Sequence, residues 1–63
     1  MQCFIMNEDR SMYVHELHGV EGVTWVSSLQ KEKALPFPEA TAEDWVKLIA
    51  AITGVRCIAT NYL

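Results

Sequence analysis

One stretch of the sequence decides the fold: TAEDWVKLIAAITG, residues 41–54. Thr41 is a suitable capping residue, and Asp44 lies three positions later, close to the capping-box pattern. Gly54 suits the left-handed conformation in which many helices end. The stretch therefore predicts a helix from about Ala42 to Thr53.

This helix has a wide apolar face. With about 100° between successive residues, one stripe consists of Ala42, Trp45, Val46, Ile49 and Ile52. Leu48 and Ala50 flank the stripe, and Ala51 lies on the nominally polar side. The apolar arc is roughly 200° wide, whereas a surface helix needs only about 100°. Either the segment 36–38 covers the remainder, or part of the helix near Leu48 and Ala51 meets another chain.

Strands are predicted on both sides of the helix. Gln2–Met6 and Ser11–Leu17 read as a hairpin, Val23–Val26 as a short third strand and Val55–Thr60 as a closing strand. Ser27–Lys33 is polar and reads as a link containing one helical turn. Leu35 and Phe37, each followed by a proline, are expected in an extended segment that anchors to the core.

Strict alternation assigns the side chains of two strands to opposite sheet faces. In the second strand, Met12, Val14 and Glu16 would share one face, and Tyr13, His15 and Leu17 the other. In the last strand, Val55, Cys57 and Ala59 would oppose Arg56, Ile58 and Thr60. Ile58 on the outer face would indicate a covered surface.

The order β-β-(β)-α-β predicts a single α+β mini-domain over residues 1–63. We expect a small, mostly antiparallel sheet of roughly three to four strands, with one helix packed on one face. The other sheet face would be bare unless something binds it.

Length and composition narrow the class of protein. With 63 residues, the chain buries only about 60% of the surface that its unfolded form exposes, so its stability is marginal. A composition of 51% hydrophobic and 21% charged residues argues against intrinsic disorder. An apolar run of about 18 residues is absent from the sequence, so no membrane-spanning helix is expected.

The net charge is −3, and its basic residues are scattered. Direct nucleic-acid binding is therefore disfavoured, and a basic protein partner is mildly favoured. The first six residues do not resemble a signal peptide, so we expect a cytoplasmic protein. Cys3 and Cys57 could be bridged if their strands were neighbours, but free thiols are expected in a reducing cytosol.

The segment His15-Glu16-Leu17-His18 is the strongest candidate for chemistry. Two histidines three residues apart on a strand point to opposite faces, so we expect no metal site. The sequence contains neither a glycine-rich phosphate loop nor a paired-carboxylate motif with catalytic spacing. We therefore expect a protein that is not an enzyme and that uses no cofactor.

Six residues are candidates for binding a partner. Tryptophan and tyrosine are enriched at binding hot spots, and Trp25 follows a glycine-containing loop. The other candidates are the two tyrosines, two residues on the flank of the helix and one on the outer face of the last strand. The full set is Trp25, Tyr13, Leu48, Ala51, Ile58 and Tyr62.

Several segments together resemble small accessory proteins encoded by bacteriophages and prophages. The similarity runs from Tyr13 to Thr60 and includes Trp25, the run Ala34-Leu35-Pro36-Phe37-Pro38, the helix start Ala42-Glu43-Asp44-Trp45 and the strand Val55-x-Cys57-Ile58. The resemblance implies a protein of the bacterial host cytoplasm. It also implies a role in binding and redirecting or inhibiting a host machine such as a polymerase, nuclease or defence complex.

The expected function is therefore that of a protein-interaction module that modulates or inhibits a host protein. One alternative is an obligate homodimer that serves as a structural or assembly subunit. Another is a nucleic-acid-binding sheet that uses Tyr13, His15 and Arg56.

Overall fold

The structure is a computed structural model that describes residues 2–61. It confirms the predicted α+β class, because one antiparallel sheet and one α-helix form the described chain. The strands are β1 (Gln2–Asn7), β2 (Met12–Leu17), β3 (Val23–Ser27), β4 (Phe37–Pro38) and β5 (Cys57–Asn61), and the helix is α1 (Ala42–Thr53). Short 3-10 helices span Gly19–Glu21, Ser28–Lys33 and Glu39–Thr41. We refer to Ser28–Lys33 as the connector.

Strand β1 lies at the centre of the sheet. Its Cys3 pairs with Asn61 of β5 on one edge and with Phe37 of β4 on the other, and Met6 pairs with Tyr13 of β2. Strand β5 therefore follows the whole of one edge, while β2 and β4 share the other edge end to end. Strand β3 pairs with β2 on the outside. The two-residue β4 brings the number of described strands to five, beyond the three to four predicted.

A β-bulge interrupts the alternation of β2. His15 is an extra residue between Val14 and Glu16, which pair with successive residues of β3. A bulge of one residue moves every later side chain to the opposite face. Leu17 therefore lies on the same face as Val14, and the prediction that opposed them was wrong.

Helix α1 has the predicted bounds and the predicted end. Gly54 adopts a left-handed conformation with φ 74°, and its N–H donates to the carbonyl of Ala50 at 2.8 Å. The predicted capping box is absent from the described structure. The hydroxyl of Thr41 points back to the carbonyl of Pro38 at 3.4 Å, because Thr41 already ends a 3-10 turn before the helix begins.

Buried side chains form two clusters, one on each face of the sheet. The helix-side cluster consists of Ile5, Val14, Phe37 and Ile49. The connector-side cluster consists of Phe4, Met6, Tyr13 and Ala34, and Val26 and Ile58 pack against it. In β5, Cys57 joins the helix side and Ile58 the other side, as predicted, but the strand begins at Cys57, so Val55 and Arg56 lie outside it.

The connector covers the sheet face that was expected to be bare. The N–H of Ser28 at its start donates to the carbonyl of Ser11, and the N–H of Leu35 just after it donates to the carbonyl of Val14, each at 2.9 Å. Next to the connector, Ala34 inserts into the cluster below and is only 8% exposed. The expectation of an open sheet face was therefore wrong, because a polar segment without periodicity lies across it.

Candidate functional site

An apolar groove lies between α1 and the Gly19–Glu21 helix, and we call it the helix groove. Its volume is about 340 Å³. Along α1 it is lined by Trp45, Leu48, Ile49 and Ile52, and on the opposite side by Leu17, Gly19 and Val20. Every lining side chain is apolar or is a glycine. Concave apolar surfaces of this size are the usual places where proteins bind other molecules.

The helical wall of the groove follows from residue spacing. Positions 45, 48, 49 and 52 recur at i, i+3, i+4 and i+7, so they form one row along the helix. Ile49 forms the floor and is fully buried, whereas Leu48 is 47% exposed at the rim. Phe37 supports Trp45 from below, with ring centroids 5.6 Å apart. The wall therefore combines a fixed base with an accessible apolar edge.

The opposite wall is held by the loop between β2 and β3. Gly19 and Gly22 both have positive φ, which lets the chain make a tight turn around Val20. The N–H of His18 donates to the carbonyl of Gly22 at 2.9 Å, and the His18 ring is 2.7 Å from the Thr24 hydroxyl. These bonds present Val20 to solvent with 96% of its surface exposed.

A second concavity of about 460 Å³ lies on the connector side. Its lining includes Phe4 and Ala34 but also the charged residues Lys31 and Glu32. It is larger than the helix groove, but its mixed lining offers no continuous apolar surface. The helix groove is therefore the better candidate for a binding site.

The predicted partner-binding residues are spread over the molecule. Leu48 lies in the helix groove, and Ala51 is exposed one turn further along α1. Trp25 is half-buried against the helix-side cluster, and Ile58 is half-buried against the other cluster. Tyr62 lies outside the described residues.

Tyr13 requires a correction. It is 7% exposed and contacts Phe4 edge-on, with ring centroids 6.0 Å apart. Its ring is thus part of the core under the connector and is not presented on an open sheet face. The suggested nucleic-acid surface, which relied on the rings of Tyr13 and His15 together with Arg56, loses its stacking aromatic residue.

Sequence reasoning missed the residues of the opposite wall. Val20 was assigned only to a loop, although an apolar residue flanked by glycines in a polar loop is a signal for an exposed contact. Leu17 was placed on the wrong face because the bulge at His15 leaves no mark in the hydrophobic pattern. Trp45 and Ile52 were assigned to the core, and the structure shows that they also line the groove.

The two histidines have structural partners. The Nδ1 of His15 lies 2.6 Å from the Lys33 carbonyl, which only accepts, so Nδ1–H is the donor. This bond fastens the β2 bulge to the connector. His18 bonds to Thr24 within its own loop. Within residues 2–61, histidine, cysteine and carboxylate side chains form no group of three or more that could hold a metal ion.

The two cysteines are free. Cys3 pairs with Asn61 and Cys57 pairs with Asn7, so the two lie at opposite ends of the β1–β5 ladder. Four residues of strand separate them by about 13 Å, well beyond the reach of a disulfide. Burial raises the pKa of the Cys57 thiol, which lowers its reactivity near neutral pH.

No family model, curated protein or solved structure matches this chain. Within residues 2–61, the structure contains no helix with the length and apolar character that crossing a membrane requires.

Proposed function

We propose that this protein is a non-enzymatic interaction module that binds another protein through the helix groove. The observation that carries the proposal is the exposure of Val20 and Leu48 on the two sides of one continuous apolar concavity. Apolar patches that stay open to water tend to mark interaction sites, because covering them releases free energy of about 25 cal/mol per Å².

The partner that we propose is a protein of a bacterial host. The resemblance to small phage and prophage proteins supports this part of the proposal. Binding at the groove would modulate or inhibit the partner by occupying its surface. Neither a nucleic acid nor a membrane is needed for this role, and the module acts in the host cytoplasm.

A photo-crosslinking experiment tests the proposed function. A photoreactive amino acid replaces Val20 in one variant and Leu29 in another, since these side chains are 96% and 91% exposed. Leu29 belongs to the connector and is therefore the matched control. In bacterial lysate we expect position 20, and not position 29, to crosslink one discrete polypeptide.

Competition makes the crosslinking result specific. An excess of the unmodified protein should suppress the crosslink, whereas the Leu48→Ser variant should not. A crosslink pattern that is identical at positions 20 and 29, or that the Leu48→Ser variant suppresses equally well, would contradict the assignment of the groove.

A second candidate function is a homodimeric assembly subunit. Among the described residues, no strand pairs with the outer edge of β3 or of β5. Open strand edges can pair with a second copy. Light scattering at micromolar concentration measures the mass directly, and a monomeric mass would exclude this candidate.

A further inference from the structure

We propose that the helix groove binds a cationic amphipathic helix of the partner protein. The apolar side chains of that helix would enter the groove, and its lysine or arginine side chains would lie along the rim. The inference rests on the proposed function and adds the chemical class of the bound segment.

The charge distribution of the chain carries the inference. The two segments that form the groove walls, residues 19–21 and α1, contain three carboxylates and one ammonium group: Glu21, Glu43, Asp44 and Lys47. The remaining residues contain five acidic and four basic side chains. The two walls therefore carry a charge of −2 out of the net charge of −3.

Two of these carboxylates are placed at the rim by position in the chain. Asp44 is one helical turn before Leu48 and therefore lies next to the exposed edge of the groove. Glu21 directly follows Val20 in the opposite wall. Lys47 is turned about 100° away from Leu48 around the helix axis. A cationic ligand would thus meet an acidic rim on both sides.

The shape of the groove favours a helix as the ligand. Its wall on α1 extends from Trp45 to Ile52, which corresponds to about 10 Å of helix. A row at i, i+3, i+4 and i+7 is complementary to the apolar stripe of a second amphipathic helix. Two turns of such a helix would bring two or three apolar side chains into contact with the groove.

The same charges disfavour other occupants. A symmetric dimer through this groove would place the acidic rim of one copy against that of the other, and like charges across an interface reduce affinity. Nucleic acids and anionic membranes would meet the same repulsion. A cationic protein segment is the occupant that the groove and its rim favour together.

Synthetic peptides test the inference with the full chain. The first probe is a fluorescent peptide of about 14 residues with leucine at helical spacing and lysine elsewhere. The second replaces each lysine with glutamate, and the third has the composition of the first in scrambled order. By fluorescence anisotropy in about 50 mM salt, we expect the first peptide to bind at least about tenfold more tightly than either control peptide.

Variants of the protein locate the binding. Leu48→Ser should lower the affinity for the lysine peptide by about tenfold. Leu29→Ser makes the same chemical change on the connector and should leave that affinity unchanged. A double variant with Glu21→Gln and Asp44→Asn should bind the lysine peptide more weakly, and that binding should depend less on salt concentration. The pair Glu8→Gln and Glu32→Gln, which removes two carboxylates elsewhere, is the control for net charge.

Each other result overturns the inference. Equal binding of the glutamate peptide would remove the charge selectivity, and equal binding of the scrambled peptide would remove the helical register. Absence of binding by all three peptides would also reject it. A concentration-dependent doubling of mass that Leu48→Ser abolishes would identify a second copy as the occupant. If crosslinking at position 20 succeeds while none of the peptides binds, the proposed function is retained and only the cationic amphipathic helix is rejected as the ligand.

Discussion

The two faces of the sheet are covered by different kinds of structure. On one face, the 12-residue helix α1 packs so that Ile5, Val14 and Ile49 have no exposed surface. On the other face, the connector leaves Phe4, Met6 and Tyr13 with 6–8% exposure, and its own Leu29 is 91% exposed. The helix covers its face with buried side chains, whereas no residue of the connector is buried and the adjacent Ala34 fills the cluster beneath it.

This difference explains where the candidate site lies. A helix offers an apolar arc wider than the sheet can cover, and the surplus at Leu48 remains open as one wall of the groove. The connector is held by hydrogen bonds to β2, among them the 2.6 Å bond from the His15 ring to the Lys33 carbonyl. The helix side therefore combines a fully buried core with an accessible apolar edge.

The largest expected loss of stability follows from truncating Ile49, the buried residue at the floor of the helix groove. Ile49→Ala removes a fully buried side chain and should lower the free energy of unfolding by about 3 kcal/mol. A domain of this size has about 3–5 kcal/mol in total, so much of the variant should be unfolded at 37 °C. Thermal unfolding followed by circular dichroism measures the loss.

Leu48→Ala is the matched control for this change, because Leu48 is 47% exposed on the same helix. It should cost less than about 1 kcal/mol. If the two alanine variants were equally unstable, the division of α1 into a core side and a binding side would be wrong.

A smaller effect is expected on the connector side. Met6→Ala removes a side chain with 6% exposure and should cost about 2 kcal/mol, since a short connector can settle into the cavity more readily than a packed helix. Met12→Ala makes the same chemical change where 37% of the residue is exposed, and it should cost much less. A loss from Met6→Ala equal to that from Ile49→Ala would show that the connector is as rigid as the helix.

The glycine at the end of α1 should contribute less to the free energy of unfolding than the buried side chains of either cluster. Gly54→Ala forces an alanine to adopt φ 74°, which costs about 1 kcal/mol even though no atom lies within 4 Å of the new methyl group. Gly54→Asn should recover part of the loss, because asparagine tolerates this conformation. Equal stability of the alanine variant and the parent protein would mean that the helix can end without the left-handed residue.

The same contrast between the two faces decides what could be predicted from the sequence. Helix α1 was predicted with its observed bounds because its period and the glycine at its end are local signals. The position of the connector across the other sheet face was not predicted, because the connector has no periodicity and is positioned by long-range hydrogen bonds. The bulge at His15 was also missed, and with it the side of the sheet on which Leu17 lies. Of the seven residues that line the groove, only Leu48 was therefore predicted as a binding residue.

The smallest expected effect on stability concerns the hairpin turn that joins β1 to β2, two strands that contribute side chains to both faces of the sheet. The Asp9 carboxylate accepts hydrogen bonds from the Ser11 hydroxyl at 2.6 Å and from the Ser11 N–H at 3.0 Å. These bonds hold the pKa of Asp9 below its ordinary value of 3.8. The stabilisation is thus present above pH 3.8 and is lost as the pH falls below it, through the lower pKa of the folded state.

We expect an NMR titration of Asp9 to have its midpoint below 3.8, and Ser11→Ala should move it part of the way back. The stability difference between the parent protein and Asp9→Asn should shrink as the solution is acidified. Because the turn belongs to neither cluster, Asp9→Asn should leave the difference between Ile49→Ala and Met6→Ala unchanged. A midpoint at the ordinary value would show that the Ser11 bonds do not persist in solution. A changed difference would show that the turn supports one face more than the other.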